Sequence, residues 1–236
     1  ATTLGLAGVK VRTLAFEPLP DASSLFRQTV FENGLADQVT VKTAALGDSS
    51  ERQVEMMFYL GHNGQAAVKG DDLPGRPEEV SVVPAPQTAL DEEVPVSWPV
   101  VDVLKLSVNG AERDTLLGAR RLLSERRICS VLMHAPKVAR GRESAASGKF
   151  AFTADIMDLL TSGDLETYTH RDEGPQGGPV KRAAASADLD QIFDDPDLSE
   201  RDYILARSRS ARCAFSRRFF HATTGAPPDG ADALRG

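Results

Sequence analysis

The chain has 236 residues, 41% hydrophobic and 26% charged, which is enough apolar material for one domain with a sizeable core and too much for global disorder. A net charge of -7 gives neither nucleic acid nor an anionic membrane an overall attraction, so neither is expected as a partner. No run approaches the roughly 18 apolar residues of a membrane span, and the amino end lacks the basic region of a complete signal peptide.

In chain order, residues 11–16 read as a strand stopped by Pro18, which cannot donate to a sheet ladder. Asp21 is placed as the N-cap of a helix that turns Leu25, Phe26 and Val30 to the core and ends at Asn33 and Gly34. Residues 39–46 form a second strand, and 52–60 followed by GHNG predict a hairpin with 65–68. Residues 69–79, rich in Asp, Pro and Gly, are a loop, and 80–83 a short strand. Residues 100–106 are apolar around Asp102 and predict a strand buried on both faces, the mark of a parallel sheet. Asn109 and Gly110 break it. A helix then runs from about Ala111, with Leu116, Leu117, Leu122 and Leu123 at helical spacing and Arg120 and Arg121 outside.

Residues 128–133 are a further buried strand, and 150–160 a helix with Phe152, Ile156 and Leu159 on one face, closed by Gly163. Residues 172–202 are polar, with little periodicity beyond one turn at 189–193, and 203–206 return as an antiparallel edge strand. The strands 11–16, 39–46, 100–106 and 128–133 are expected side by side and parallel in one sheet. From Arg207 the composition shifts to arginines interleaved with Phe215, Phe219 and Phe220, then a Gly/Pro/Ala tail. This predicts a domain over 1–206 and a partly disordered basic and aromatic extension over 207–236. Cys129, inside an apolar strand pattern and far from Cys213, is expected as a buried free thiol.

A strand, a tight turn and a helix make half a βαβ unit, and ligands of such sheets gather at the carboxyl ends of the strands. Lys105, Ser107 and Asn109 sit at that end of 100–106. Glu17 ends 11–16, where an acid can accept two hydrogen bonds from a ribose diol. Asp48, after Gly47, is either a contact for an adenine edge or a simple turn residue. His134 closes 128–133 on the ligand side and could act as a base; His62 in GHNG reads as turn chemistry. The four histidines show no metal-ligand spacing, so no metal site is expected.

The same segments carry a resemblance. Lys105, Val108, Gly110, Ala111 and Glu112, with Leu117, Gly118 and Ala119, are similar to the K-I-D-V-E-G-A-E and L-x-G-A signature of FkbM-type methyltransferases. AFEPLP (15–20) resembles the family's A-F-E-P-N-P, AALGD (44–48) its third-strand ending, NGQAAV (63–68) its hairpin and TALDE (88–92) its T-L-D segment. The matches span roughly 11–136. The resemblance implies a Rossmann-like α/β fold, a mainly parallel sheet with an antiparallel edge, and S-adenosylmethionine as cofactor. The family's first strand and glycine loop are expected before Ala1, so this chain is expected to lack them and to bind the cofactor weakly.

The resemblance further implies that Glu17, Asp48, Ser107 and Asn109 meet the cofactor, and that the acceptor is a hydroxyl of a small molecule or glycan. Where the family has two carboxylates this chain has Ser107 and Asn109, and Met133 or His134 stands where it has a Glu. A hydroxyl acceptor must lose its proton. Ser107 cannot take it unaided and Asn109 cannot take it at all, leaving Lys105 to orient the acceptor and His134 as the base. Two functions follow as alternatives: O-methyl transfer, or a catalytically inactive methyltransferase-like binding or interaction module in which transfer is absent or very slow.

Overall fold

The structure, a computed structural model, describes residues 11–50, 52–59, 62–68, 80–136, 138–139, 149–170, 180–198 and 202–213. The predicted loop 69–79 and residues 214–236 of the predicted extension lie outside them. β1 (Thr13–Phe16) and β2 (Val39–Lys42) pair in parallel, with Thr13 opposite Val39 and Phe16 opposite Lys42. The connecting helix α1 (Pro20–Glu32) starts on Pro20, whose missing N–H falls where no helical bond is made. Asn33 and then Gly34, at a φ of 65°, end it. Of the three predicted apolar residues only Val30 is buried, together with Ser23; Leu25 is 62% exposed, Phe26 is exposed too, and so is Phe31 at 77%. The reason is polar. Ser23 shares a 2.8 Å hydroxyl bond with Thr43, and Arg27, one turn on, donates to the same Thr43 hydroxyl at 2.6 Å.

The predicted strand 39–46 is two strands. After Lys42 the chain leaves β1, and β3 (Ala45–Leu46) pairs in parallel with β6 (Val80–Thr88). β4 (Arg52–Tyr59) and β5 (His62–Val68) form the predicted hairpin, and β4 lies against β6, giving the order β3-β6-β4-β5. β6 runs well past the predicted 80–83, through Pro84 and Pro86. It can do so because β3 covers only Gln87 and Thr88, which leaves both prolines on an open edge. Leu19, Ala45, Met56 and Ala85 make a small core beneath this sheet.

The third sheet has the order β10-β9-β11-β8-β7, from Val180–Ala183, Leu165–His170, Tyr203–Ser208, Ser130–His134 and Leu104–Leu106. Only β7 and β8 are parallel in it. The fold is therefore mixed α/β. The expected single parallel sheet is corrected: 11–16 and the start of 39–46 lie in one sheet, 100–106 and 128–133 in another, because β3 is diverted to β6 and β11 occupies the far side of β8. β9 and β10 are not foreseen in the sequence, and β11 is not an edge strand; it lies between β8 and β9. β10 and β7 are the edges instead; β7 is short, and its Lys105, like Val103 just before it, is exposed rather than buried.

The predicted helix after Ala111 is interrupted at Gly118 and Ala119, giving α3 (Glu112–Leu117) and α4 (Arg120–Ser124), and α2 is one turn at Leu90–Glu93. With α5 (Lys149–Ser162) and α6 (Ser186–Phe193) they cover one face of the five-stranded sheet. Leu106, Leu116, Leu122, Leu123, Met133, Ile156, Leu160, Leu189 and Ile204 are almost wholly buried there. Each such side chain contributes about 1.5–3 kcal/mol of apolar burial, so this is where the fold's stability is concentrated.

Cys129 is buried as predicted but is not free: it forms a disulfide with Cys213. β11 brings them together. Arg207 lies opposite Ser130, Ser208 N–H donates to the Cys129 carbonyl at 2.8 Å, and the short turn Ala211–Cys213 then folds back within 5.2 Å, Cα to Cα. Arg207, read as the start of the extension, is the buried fifth residue of β11 and donates to the Tyr168 hydroxyl at 3.1 Å. Among the described residues no helix is long and apolar enough to cross a membrane.

Candidate functional site

Glu17 follows β1 directly, and its backbone N–H donates to the Lys42 carbonyl at 3.0 Å, which sets it at the carboxyl ends of both β1 and β2. Pro18 stops pairing there and the chain turns into α1. The Glu17 carboxylate is half-buried, and Oε1 accepts the Leu19 N–H at 3.0 Å. Burial pushes its pKa above the ordinary carboxylate value, with the Leu19 hydrogen bond pulling the other way. One oxygen is thus committed to backbone, and no described residue bonds the other. Such a carboxylate can accept from a diol.

Beside it, Lys42 pairs with Glu93 at 3.1 Å, and Glu93 accepts from the Thr88 hydroxyl at 3.0 Å. The TALDE segment therefore stands at the end of β2. Asp91 of that segment does structural work: its two oxygens accept the N–H groups of Arg121 (2.7 Å) and Leu122 (2.9 Å), satisfying the amino end of α4. Asp48 is exposed, accepts from the Ser49 hydroxyl at 3.0 Å and lies 3.6 Å from Arg52.

At the second junction, β7 ends at Leu106, and Ser107, exposed, begins the turn. Asn109 and Gly110 both take left-handed backbone, at φ 50° and 106°. Asn109 Nδ2 donates to the Ala66 carbonyl of β5 at 2.6 Å, so this side chain ties the β4–β5 hairpin to the turn. Glu112 closes the turn from inside: it is fully buried, with Oε1 accepting Val108 N–H at 3.1 Å and Oε2 accepting Gly110 N–H at 2.9 Å.

Lys105 is opposite Leu132 in the β7–β8 register, and His134 lies two residues beyond Leu132. Alternation puts Lys105 and His134 on the same sheet face, away from the core face of Leu106 and Met133. His134 packs edge-on to Tyr203, with ring centroids 4.5 Å apart. The candidates thus belong to three sheets: Glu17 follows β1, Asp48 follows β3, and Lys105, Ser107, Asn109 and His134 lie around β7 and β8. A groove of about 500 Å³ lined by Leu117, Arg120, Arg121 and Asp155 among others touches none of them. The side chain of His62, and all of His221, lie outside the described residues.

The sequence reading gives Glu112 and Asp91 no separate roles. Glu112 opens α3, where a carboxylate commonly meets nearby N–H groups, and that was an available signal; Asp91 bonds N–H groups 30 and 31 residues away, which no local pattern announces. The sequence reading also leaves Asn109 without a partner, because a contact to a residue 43 positions away has no local signature.

Comparison with known proteins gives two findings. The family model described as the methyltransferase FkbM domain matches residues 3–167. Among solved structures, the chain is similar to the methyltransferase FkbM from Methylobacillus flagellatus KT, at 16% identity and a TM-score of 0.43, over 77% of this chain and 40% of that one. The chain therefore spans well under half the length of that protein. Among curated proteins no match is found.

Proposed function

The chain belongs to the methyltransferase FkbM domain family, and from that premise we propose that it binds S-adenosylmethionine and serves methyl transfer to a hydroxyl of a small molecule or glycan within a Rossmann-like frame. The observation that carries the donor assignment is Glu17. It is half-buried at the joint carboxyl end of two parallel strands, with one oxygen held by Leu19 N–H and the other open among the described residues. That chemistry fits a ribose diol. Asp48 is assigned to the adenine edge, and Ser107 and Asn109 to the turn that faces the cofactor.

When bound, S-adenosylmethionine supplies a methyl group on a sulfonium, a carbon already bearing a good leaving group. The protein's part is then to hold the acceptor oxygen in line with it, and orientation of this kind is worth several kcal/mol. Lys105 orients an acidic acceptor and His134, on the same face, takes the hydroxyl proton.

A second reading is favoured by Asn109. Its side chain is spent on the Ala66 carbonyl, and neither it nor Ser107 is a carboxylate. On this reading the domain binds without transferring. One titration series separates the two. Calorimetry with S-adenosylhomocysteine should show binding by the wild-type chain, weakened by about 1–3 kcal/mol in Glu17→Ala; a wild-type chain with no heat of binding sinks the donor assignment. Turnover over a panel of hydroxyl acceptors that appears only in Ser107→Asp/Asn109→Glu selects the non-catalytic reading. Robust wild-type turnover lost in His134→Ala selects the enzyme.

A further inference from the structure

We infer that Glu112 is a positioning residue: a buried carboxylate that holds the turn after β7 in the shape the donor meets. A carboxylate with no exposure is costly to bury unless its oxygens are bonded. The oxygens of Glu112 are bonded to two N–H groups that straddle Asn109, those of Val108 and Gly110. Between them the backbone takes two successive left-handed conformations, at Asn109 and Gly110. Asn and Gly are the residues that enter this region at least cost, so the sequence permits the shape and the buried carboxylate behind it holds it. The same shape aims Asn109 at the Ala66 carbonyl. One buried group thus fixes both the end of β7 and the anchorage of the β4–β5 hairpin.

This assignment rests on the donor reading for its functional part and on geometry alone for its structural part, and the test keeps them apart. In the wild-type chain, amide exchange followed by NMR should show Val108 and Gly110 protected, relative to their intrinsic rates, at least about tenfold more than Asn109, as charge-assisted hydrogen bonds require. In Glu112→Gln, which keeps the volume and one acceptor oxygen, both protections should fall by about tenfold while exchange in β8 and β11 is unchanged. Affinity for S-adenosylhomocysteine should drop by about tenfold in the same variant. Glu112→Asp, one methylene short, should not restore it. Equal protection at residues 108, 109 and 110 in the wild type overturns the assignment, even if the variants fail to fold. Loss of protection with unchanged affinity overturns the positioning role. A wild-type chain that binds no S-adenosylhomocysteine overturns the donor reading alone, and the exchange rates then decide whether Glu112 holds the turn.

Discussion

Gly118, at the break between α3 and α4, lies against Gly47: a β-carbon built on Gly118 would overlap the Gly47 carbonyl oxygen and stand 3.3 Å from the Ala89 β-carbon. The backbone conformation at Gly118 is ordinary, with φ at -72°, so space rather than torsion demands glycine there. Two motifs distant in sequence, AALGD and LLGA, are each other's packing surface.

Gly118→Ala should therefore destabilise the fold by about 1–3 kcal/mol, the usual cost of overpacking where the neighbour is backbone and cannot swing aside. Gly47→Ala offers the contrast. The three atoms nearest its β-carbon would all belong to the Gln87 side chain, which can rotate away at the expense of its 2.9 Å bond to the Ser49 carbonyl. Urea denaturation of both variants should rank Gly118→Ala clearly below Gly47→Ala; the reverse order would mean that the close approach is not rigid.

Glu17 should separate stability from binding. Burial raises its pKa in the fold, so the folded chain holds that proton more tightly than the unfolded one. Its contribution is most favourable below the unfolded-state pKa and is lost as pH rises through the higher folded value. Glu17→Gln keeps an acceptor for Leu19 N–H and has no charge to desolvate. It should equal the wild type in acid and match or exceed it at neutral pH. Donor affinity should fall by about 1–3 kcal/mol, the cost of leaving charge-assisted donors unpaired. Melting curves at several pH values, with calorimetry at neutral pH, check both halves.

Asp188 behaves in the opposite sense. The N–H groups of Ala185 and Ala184 donate to its carboxylate at 2.9 and 2.7 Å and hold its pKa below the ordinary range. Its support for the amino end of α6 is present above the unfolded-state carboxylate pKa and is lost as pH falls through the lowered folded value. Protection of the 184 and 185 amides, taken relative to the intrinsic exchange rate at each pH, should fall in acid, and Asp188→Asn should show that lower protection already at neutral pH. Exchange indifferent to the substitution would refute the cap.

The disulfide joins residues 84 apart. Replacing both cysteines by alanine should cost about 2–5 kcal/mol, chiefly by freeing the unfolded chain. Urea unfolding of the wild type with and without a reductant should bracket the same difference, and mass analysis under non-reducing conditions should find no free thiol.

Much of the scaffold is legible in the sequence because it is local. The apolar stripe of α5, the β4–β5 hairpin with its intervening glycine, and the strand endings at Glu17 and Lys105 are each written within a dozen residues. What failed is what depends on distant partners. Residues 39–46 look like one strand, yet β3 belongs to β6, and nothing near Thr43 announces the change. The helix α1 buries Ser23 in place of Leu25 because Thr43, not an apolar residue, lies beneath it. At the site, the positions of Glu17, Lys105 and Glu112 follow from strand and helix ends. The bond of Asn109 to Ala66 and the pairing of Cys129 with Cys213 do not, since both close loops of tens of residues.

The place of β11 has a consequence for the order in which the molecule can assemble. β8 carries Val131 and Met133 at the middle of the core, yet its partner on one side is 203–208, the last strand among the described residues. Until that segment leaves the ribosome, β8 and β9 each present an unpaired edge, and open apolar edges recruit other chains. Folding here waits on the arrival of one late strand. A nascent chain released before Ser208 would carry nearly the whole core sequence and still be a template for aggregation.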